Sequence, residues 1–395
     1  MKNTLLTLAI ASTLLISCGE DDTSDVIINN VDNSVTTTGG GAVDPNAGEK
    51  IDLSGSQTTD ITLEAKNEYT ITGPFVMQPG TTLTIEAGTV IEAQASGSDV
   101  YIAIAQGAKI IADGTKDLPI VMTSSSTAPK AGDWGGLIIL GNAPINSVST
   151  GTSTSEIGGL PYGGTDATDN SGTIRYVRVQ YSGGKADGQS ENNGFSFYGV
   201  GSGTTVEYIQ MYEGLDDGLE FFGGTVNVSY VSVINAQDDS IDWTEGFTGK
   251  VTNAYVQHGV DHDKAFECDG YNTDIGNNAS PQFFSAPEVT NVTVVSANDA
   301  SEAIRLRAGT QGIFTNILLS DFDEGFDLDG DTGDNPTGQG VLDGFLKVVD
   351  VTFNNVTTKL KNDTGFTFSE ADFISGDGNG TGTDYADWGA GWTVE

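Results

Sequence analysis

Seven five-residue segments recur along the chain with one pattern: polar or charged, small, apolar, polar or charged, apolar. They are NGFSF from Asn193, DGLEF from Asp217, DSIDW from Asp239, KAFEC from Lys264, EAIRL from Glu302, EGFDL from Glu324 and TGFTF from Thr364. Their starts lie 24, 22, 25, 38, 22 and 40 residues apart, so the period is 22 to 25 with two insertions. A second strand-like run precedes each core segment at near-constant distance, as VEYI at Val206, VSYV at Val228, VTNA at Val251, VTNV at Val289, FTNI at Phe314 and VVDV at Val348. A unit this short cannot bury its apolar face alone, so it must stack on copies of itself. Two or three short strands per period predict an all-β parallel β-helix. Upstream, GTTLTIEAGTVIEA and AQGAKIIADGTKDLPIVMTS read as its first coils, with Gly and Pro at the corners. The β-helix is expected over 51–374, followed by a Gly- and Asp-rich tail over 375–395.

Period-two alternation then assigns the side chains. In DSIDW, Ile241 and Trp243 face the interior, and Asp242 faces out. The same alignment sets Ser196, Glu220, Asp242, Glu267, Arg305, Asp327 and Thr367 in one outward row, with neighbouring coils about 4.8 Å apart. The residue two before each is small, from Gly194 to Gly365, which predicts space for something lying against the sheet. A third row, at the turn entering the strand, holds Asp217, Asp239, Lys264, Glu302 and Glu324. Glu220, Asp242 and Glu267 repel one another at this spacing unless a cation or a proton intervenes. Arg305 is placed to compensate Glu267 and Asp327 but not the others. The plain alternative is that outward acids keep a long sheet soluble and guard its edges.

The first residues address the chain to a membrane surface. MKNTLLTLAIASTLLISC has one lysine and an apolar run from Leu5 to Ile16, the layout of a secretory signal peptide over 1–17. It is too short for a permanent span. LISC, Leu15 to Cys18, resembles a bacterial lipobox, which implies a lipid on Cys18. The acids Glu20, Asp21 and Asp22 after it resemble the surface-export signal of Bacteroidota lipoproteins. Residues 18–50 then read as a flexible acidic tether. With 55 acidic and 16 basic residues the net charge is -39, which excludes nucleic acid and points to cations or solubility. Cys268 is left without a partner once Cys18 is lipidated, so no disulfide stabilises the fold. A monomer is expected.

Four consecutive coils resemble the polygalacturonase family, right-handed β-helices of the pectin-lyase-like solenoid kind. The matching segments are LDDGLEF (Leu215 to Phe221), QDDSIDW (Gln237 to Trp243), DKAFECDG (Asp263 to Gly270) and EAIRLRAG (Glu302 to Gly309). By that resemblance Asp217, Asp238 and Asp239 protonate the leaving oxygen and activate water, while Arg305 or Arg307 grips an acidic sugar. Lys264 stands where that family has histidine, since His258 and His262 are displaced from the strand start. A calcium-assisted lyase with Lys264 or Arg305 as proton acceptor is the related alternative.

Clustered acids also suit calcium, which takes six to eight oxygen ligands in irregular geometry. FDLDGDTGDN spaces Asp327, Asp329 and Asp331 at alternate positions, and SGDGNGTGTDYADW offers Asp377, Asn379 and Asp384. QHGVDHD brings His258 and His262 near Asp261 and Asp263, a thin donor set for zinc. The lipobox, GDWGGLIILGNAPIN, the paired-acid coils and the ending DWGAGWTVE together resemble β-helical surface lipoproteins of Bacteroidota. That resemblance implies a non-catalytic binding role for an extracellular glycan or cation-bridged polymer, accessory to uptake with a TonB-dependent receptor.

Overall fold

The computed structural model describes residues 48–186, 192–272, 282–330 and 336–395, with the backbone alone for 298–301. Cys18, the signal segment, nearly all of the tether and Asp331 lie outside the described residues. The chain is an all-β, right-handed parallel β-helix, as the repeat requires. Twenty-one strands form one continuous sheet system, and the antiparallel pair Ser153–Thr154 with Pro161–Tyr162 stands apart from it.

Each typical coil holds three short strands separated by bends. In the strand Thr205–Gly214 the chain turns at Tyr208 and Glu213, with φ of 53° and 56°. The left-handed residue at the first bend lets the residues on either side, Val206 and Ile209, both enter the core. The same bend recurs at Tyr176, Tyr230, Asn253, Asn291, Asn316 and Asp350, all at positive φ. Asn and Asp tolerate that conformation better than most residues. Along this row the tyrosines stack, with centroids 4.4 and 4.2 Å apart for Tyr176–Tyr208 and Tyr208–Tyr230. Asparagines continue it, Asn291 Nδ2 donating to Asn253 Oδ1 at 3.0 Å and Asn316 Nδ2 to Asn291 Oδ1 at 2.8 Å.

The interior is a column of buried apolar side chains along the whole axis. Phe197, Phe221 and Phe247 stack within it at 5.3 and 4.3 Å. Trp243 is fully buried there, its indole N–H donating to Thr310 Oγ1 at 3.1 Å. Cys268 lies in the same core as a free thiol.

Two segments leave this pattern and cover its outside. Between Leu137–Leu140 and Gly172–Gln180 the chain makes an excursion whose Ile145, Ile157 and Tyr162 pack on Val76, Ala103, Ile138 and Leu140. Leu137–Leu140 is therefore buried on both faces, which explains its uninterrupted apolar run. The C-terminal residues after Ile374–Asp377, the Gly- and Asp-rich tail, run back along the outside of the coils. Trp388 and Trp392 meet the tyrosine row edge-on, at 5.7 Å from Tyr230 and 5.4 Å from Tyr176. Among the described residues no helix is long and apolar enough to cross a membrane.

Candidate functional site

The outward row forms as the alternation requires. Ser196 pairs with Glu220, Glu220 with Asp242, Asp242 with Glu267, Glu267 with Arg305 and Arg305 with Asp327. The next rung is Lys361 rather than Thr367. TGFTF follows that last long strand instead of forming it, because the final coil has no successor and its strand need not fill a two-sided core. In the other direction the row continues through Ile138, Ala103 and Val76, which are apolar because the excursion covers them. The acids thus begin where that cover ends.

The small residues before each rung have a different cause from the one expected. A Cβ on Gly218 would lie 2.6 Å from Val233 Cγ1, and one on Gly194 2.4 Å from Met211 Cγ. Ala265 and Ala303 are fully buried in the core. The row is small because it turns into the interior, and it opens no space on the outer face.

The acids are buried or half-buried rather than spread in solvent. Asp217 and Asp239 are 8% and 4% exposed, and Glu220, Asp242 and Glu267 are half-buried. Asp217, Glu220 and Asp242 offer oxygens within 4.8 Å of one another, and Asp239, Asp242 and Glu267 do the same. Asp242 belongs to both groups, and its Oδ1 is buried without a hydrogen-bond partner. Asn193 Nδ2 donates to Glu220 Oε2 at 2.7 Å. Burial first, and the neighbouring acids second, push the carboxyls of Asp217, Glu220, Asp239 and Asp242 well above the usual range.

Positive charge is concentrated at one end of this cluster. Arg307 donates to Glu267 and Asp269, both at 2.6 Å, and Lys264 pairs with Asp263, Glu267 and, at 3.8 Å, Asp239. Arg305 attracts Glu267 on the neighbouring rung, as expected, but makes its direct ion pair elsewhere. It bends back to Glu302 at 2.5 Å, and Asp327 is held by Lys361 at 2.9 Å. Lys185 lies 3.6 Å from Asp216 and 3.8 Å from Asp238. Among the described residues no lysine or arginine ion-pairs with Asp217, Glu220 or Asp242.

Two of the side chains given proton-transfer roles by family resemblance also brace the turns between coils. Asp217 Oδ1 accepts from Asp239 N at 2.9 Å, and Asp239 Oδ1 from Lys264 N at 2.7 Å, so each acid staples the next coil's turn. Asp238 sits beside them in groups with Asp216 and Asp217 and with Asp239 and Asp263. Burial would lower the Lys264 pKa, but Asp239 and Glu267 outweigh it and raise it, which disfavours lysine as a proton acceptor.

The proposed calcium loops separate. Asp327 groups with Glu302 and Glu324 instead of with Asp329. Asp377 pairs with Lys359, Asn379 donates to Asp350 at 3.1 Å, and Asp384 caps the short helix Tyr385–Trp388. Gly380 between them serves close approach, since a Cβ there would lie 2.2 Å from Ile317 O, while Gly378 serves a turn at φ 86°. His258 is fully buried and stacked 4.4 Å from His262 and against Phe322, and no metal-ligand group among the described residues includes either histidine.

Sequence reading missed Asn193, Asp216, Asp269 and Lys185 as parts of the cluster. The doublets in LDDG and QDDS and the ECDG ending carried a signal for the acids. Lys185 has none, because its loop lies outside the repeat.

Three oxygens within 4.8 Å of one another can share one cation with ligand distances of 2.3 to 2.6 Å. The arrangement is suited to holding a hard divalent cation at the Glu220–Asp242 end, beside the end where Arg307 and Lys264 pair with acids.

No curated protein matches the sequence. Among solved structures, the catalytic unit of a thermostable GH87 alpha-1,3-glucanase from Streptomyces thermodiastaticus strain HF3-3 is similar at 12% identity and a TM-score of 0.36. The match covers 85% of this chain and 65% of that one, just under two thirds of its length. A family model described as a pectate-lyase-like β-helix domain matches residues 55–393, essentially the whole described molecule. The chain therefore belongs to the family of pectate-lyase-like β-helix domains, a membership compatible with a carbohydrate-related role.

Proposed function

We propose that this protein is a cell-surface binding lipoprotein, anchored through Cys18, whose acid row takes up calcium and through it holds an anionic extracellular glycan. One observation carries this reading. Asp242 joins two acid groups, its Oδ1 has no hydrogen-bond partner, and no basic side chain among the described residues pairs with Asp217, Glu220 or Asp242. Carboxyls driven up by burial and mutual repulsion either hold protons or share a cation, and at neutral pH a cation held by Asp217, Glu220 and Asp242 relieves the repulsion at the end of the row that has no ion pair. Arg307, half-buried against Glu267 and Asp269, is the basic group at the other end of the row that the ligand's carboxylates would meet. Capture at the surface suits an accessory to outer-membrane uptake beside a TonB-dependent receptor.

Binding is favoured over turnover because Lys264 and Arg305, the basic groups that would accept a proton, are each held in an ion pair with a neighbouring acid. The test is retention of the purified chain on polygalacturonate and alginate columns with calcium and with chelator, alongside assays for new reducing ends and unsaturated uronate. Calcium-dependent retention without product supports the proposal. Product formation, or no retention on any anionic glycan with calcium present, would overturn it.

A further inference from the structure

The C-terminal segment touches far more of the molecule than its length suggests. Starting at the coil of Asp350, it passes Asn316, whose Oδ1 accepts from Thr381 N at 2.6 Å, and Thr293, whose Oγ1 accepts from Thr383 N at 3.0 Å. Tyr385 then stacks on Tyr255 at 3.9 Å and reaches Ser232 Oγ at 3.1 Å. The end of the chain is clasped by Gln210, which both donates to Val394 O at 2.8 Å and accepts from Val394 N at 2.9 Å. Arg178 donates to Trp392 O at 2.9 Å. Arg178, Gln210, Ser232, Tyr255 and Thr293 are successive members of one outward row. Continued through Asn316 and Asp350, these contacts engage seven consecutive coils, a span of about 29 Å at 4.8 Å per coil.

A solenoid ordinarily holds each unit only through its two neighbours, so it frays and unfolds by segments. A strap bonded to every coil removes that independence, since no strapped coil can open without breaking a contact shared with the rest. We propose that residues 378–395 are an intramolecular clamp that makes the seven coils from Gly172–Gln180 to Leu346–Asn362 open as a single unit. The composition of the segment fits this task. Trp388 and Trp392 satisfy their indole N–H groups within the strap, on Thr383 Oγ1 and Trp388 O. Gly382 lies at φ 68°, where a Cβ would come 2.1 Å from Thr293 Oγ1. The first strands, such as Thr82–Ile85, lie outside the strap's reach and open on their own.

The test is hydrogen exchange of the full chain in rising, sub-denaturing urea, read strand by strand. In the intact protein the slow amides of Gly172–Gln180, Asn227–Ala236 and Gly312–Leu328 merge into one opening isotherm. A chain ending at Asp377 keeps the last rung but resolves these strands into separate isotherms, with exchange in Gly172–Gln180 at least tenfold faster and Thr82–Ile85 unchanged. Gly382→Ala, which keeps every coil, gives the same separation more weakly, and it carries the test if the shortened chain fails to fold. Separate isotherms in the intact protein would overturn the proposal. So would isotherms that stay merged in the shortened chain or, where that chain does not fold, in Gly382→Ala.

Discussion

Asp242 carries the charge problem of the molecule in one side chain. Its carboxyl is pushed up first by burial, then by Glu267 and Asp239. Asp242→Asn removes the charge and keeps the shape. Without calcium it should raise stability at neutral pH by roughly 1–2 kcal/mol, measured by urea denaturation, and an unchanged midpoint would count against the repulsion described here. Ser240 poses a smaller problem of the same kind. It lies fully buried in the small row with Oγ unpartnered, and alanine already fills the equivalent place in the next coil at Ala265. Ser240→Ala should therefore stabilise by about 1 kcal/mol, since a desolvated hydroxyl without a partner is removed.

At the scale of strands, the strand-like runs and five of the six rung-to-rung pairings could be read from the sequence, because period-two alternation and a constant repeat length fix register together. The seventh segment misled because TGFTF repeats the pattern while the true rung, ending in Lys361, departs from it. Lys359 and Asn362 stand where small and apolar residues stand elsewhere, a freedom available only to a terminal coil. The burial of the acids was not legible either, since alternation gives the face a side chain points to and not what lies over that face. The excursion after Leu137–Leu140 is secured by Tyr162, whose hydroxyl donates to the buried Glu245 at 2.8 Å. Tyr162→Phe leaves a buried carboxylate short of a donor and should cost about 2 kcal/mol, with faster exchange around Leu137–Leu140. Unchanged exchange there would show that the apolar contacts alone hold the excursion.

For the whole molecule, acids and histidine pull stability in opposite directions with pH. Asp217, Glu220, Asp239 and Asp242 hold protons in the folded state to higher pH than in the unfolded chain. Their contribution is full below about pH 4 and is lost as pH rises through their raised values. His258 is depressed to about 3, first by burial and then by His262, so its contribution is present above about pH 6.5 and lost as pH falls. The carboxyls of Glu245 and Glu302 are raised as well, so the acids outweigh the histidine, and the net charge of -39 adds self-repulsion at high pH. Scanning calorimetry in chelator should show Tm falling from pH 5 to pH 8, and calcium should remove most of that fall. A Tm that climbs over this range in chelator would contradict the assignment of the acids as the dominant titrating groups.

The most direct measurement is calorimetric titration of calcium into the purified chain at pH 7.5, beside Asp242→Asn. Saturable binding to the natural chain, weakened at least tenfold by the substitution, is the predicted result. No saturable heat, or equal affinity in both proteins, would contradict a cation site centred on Asp242.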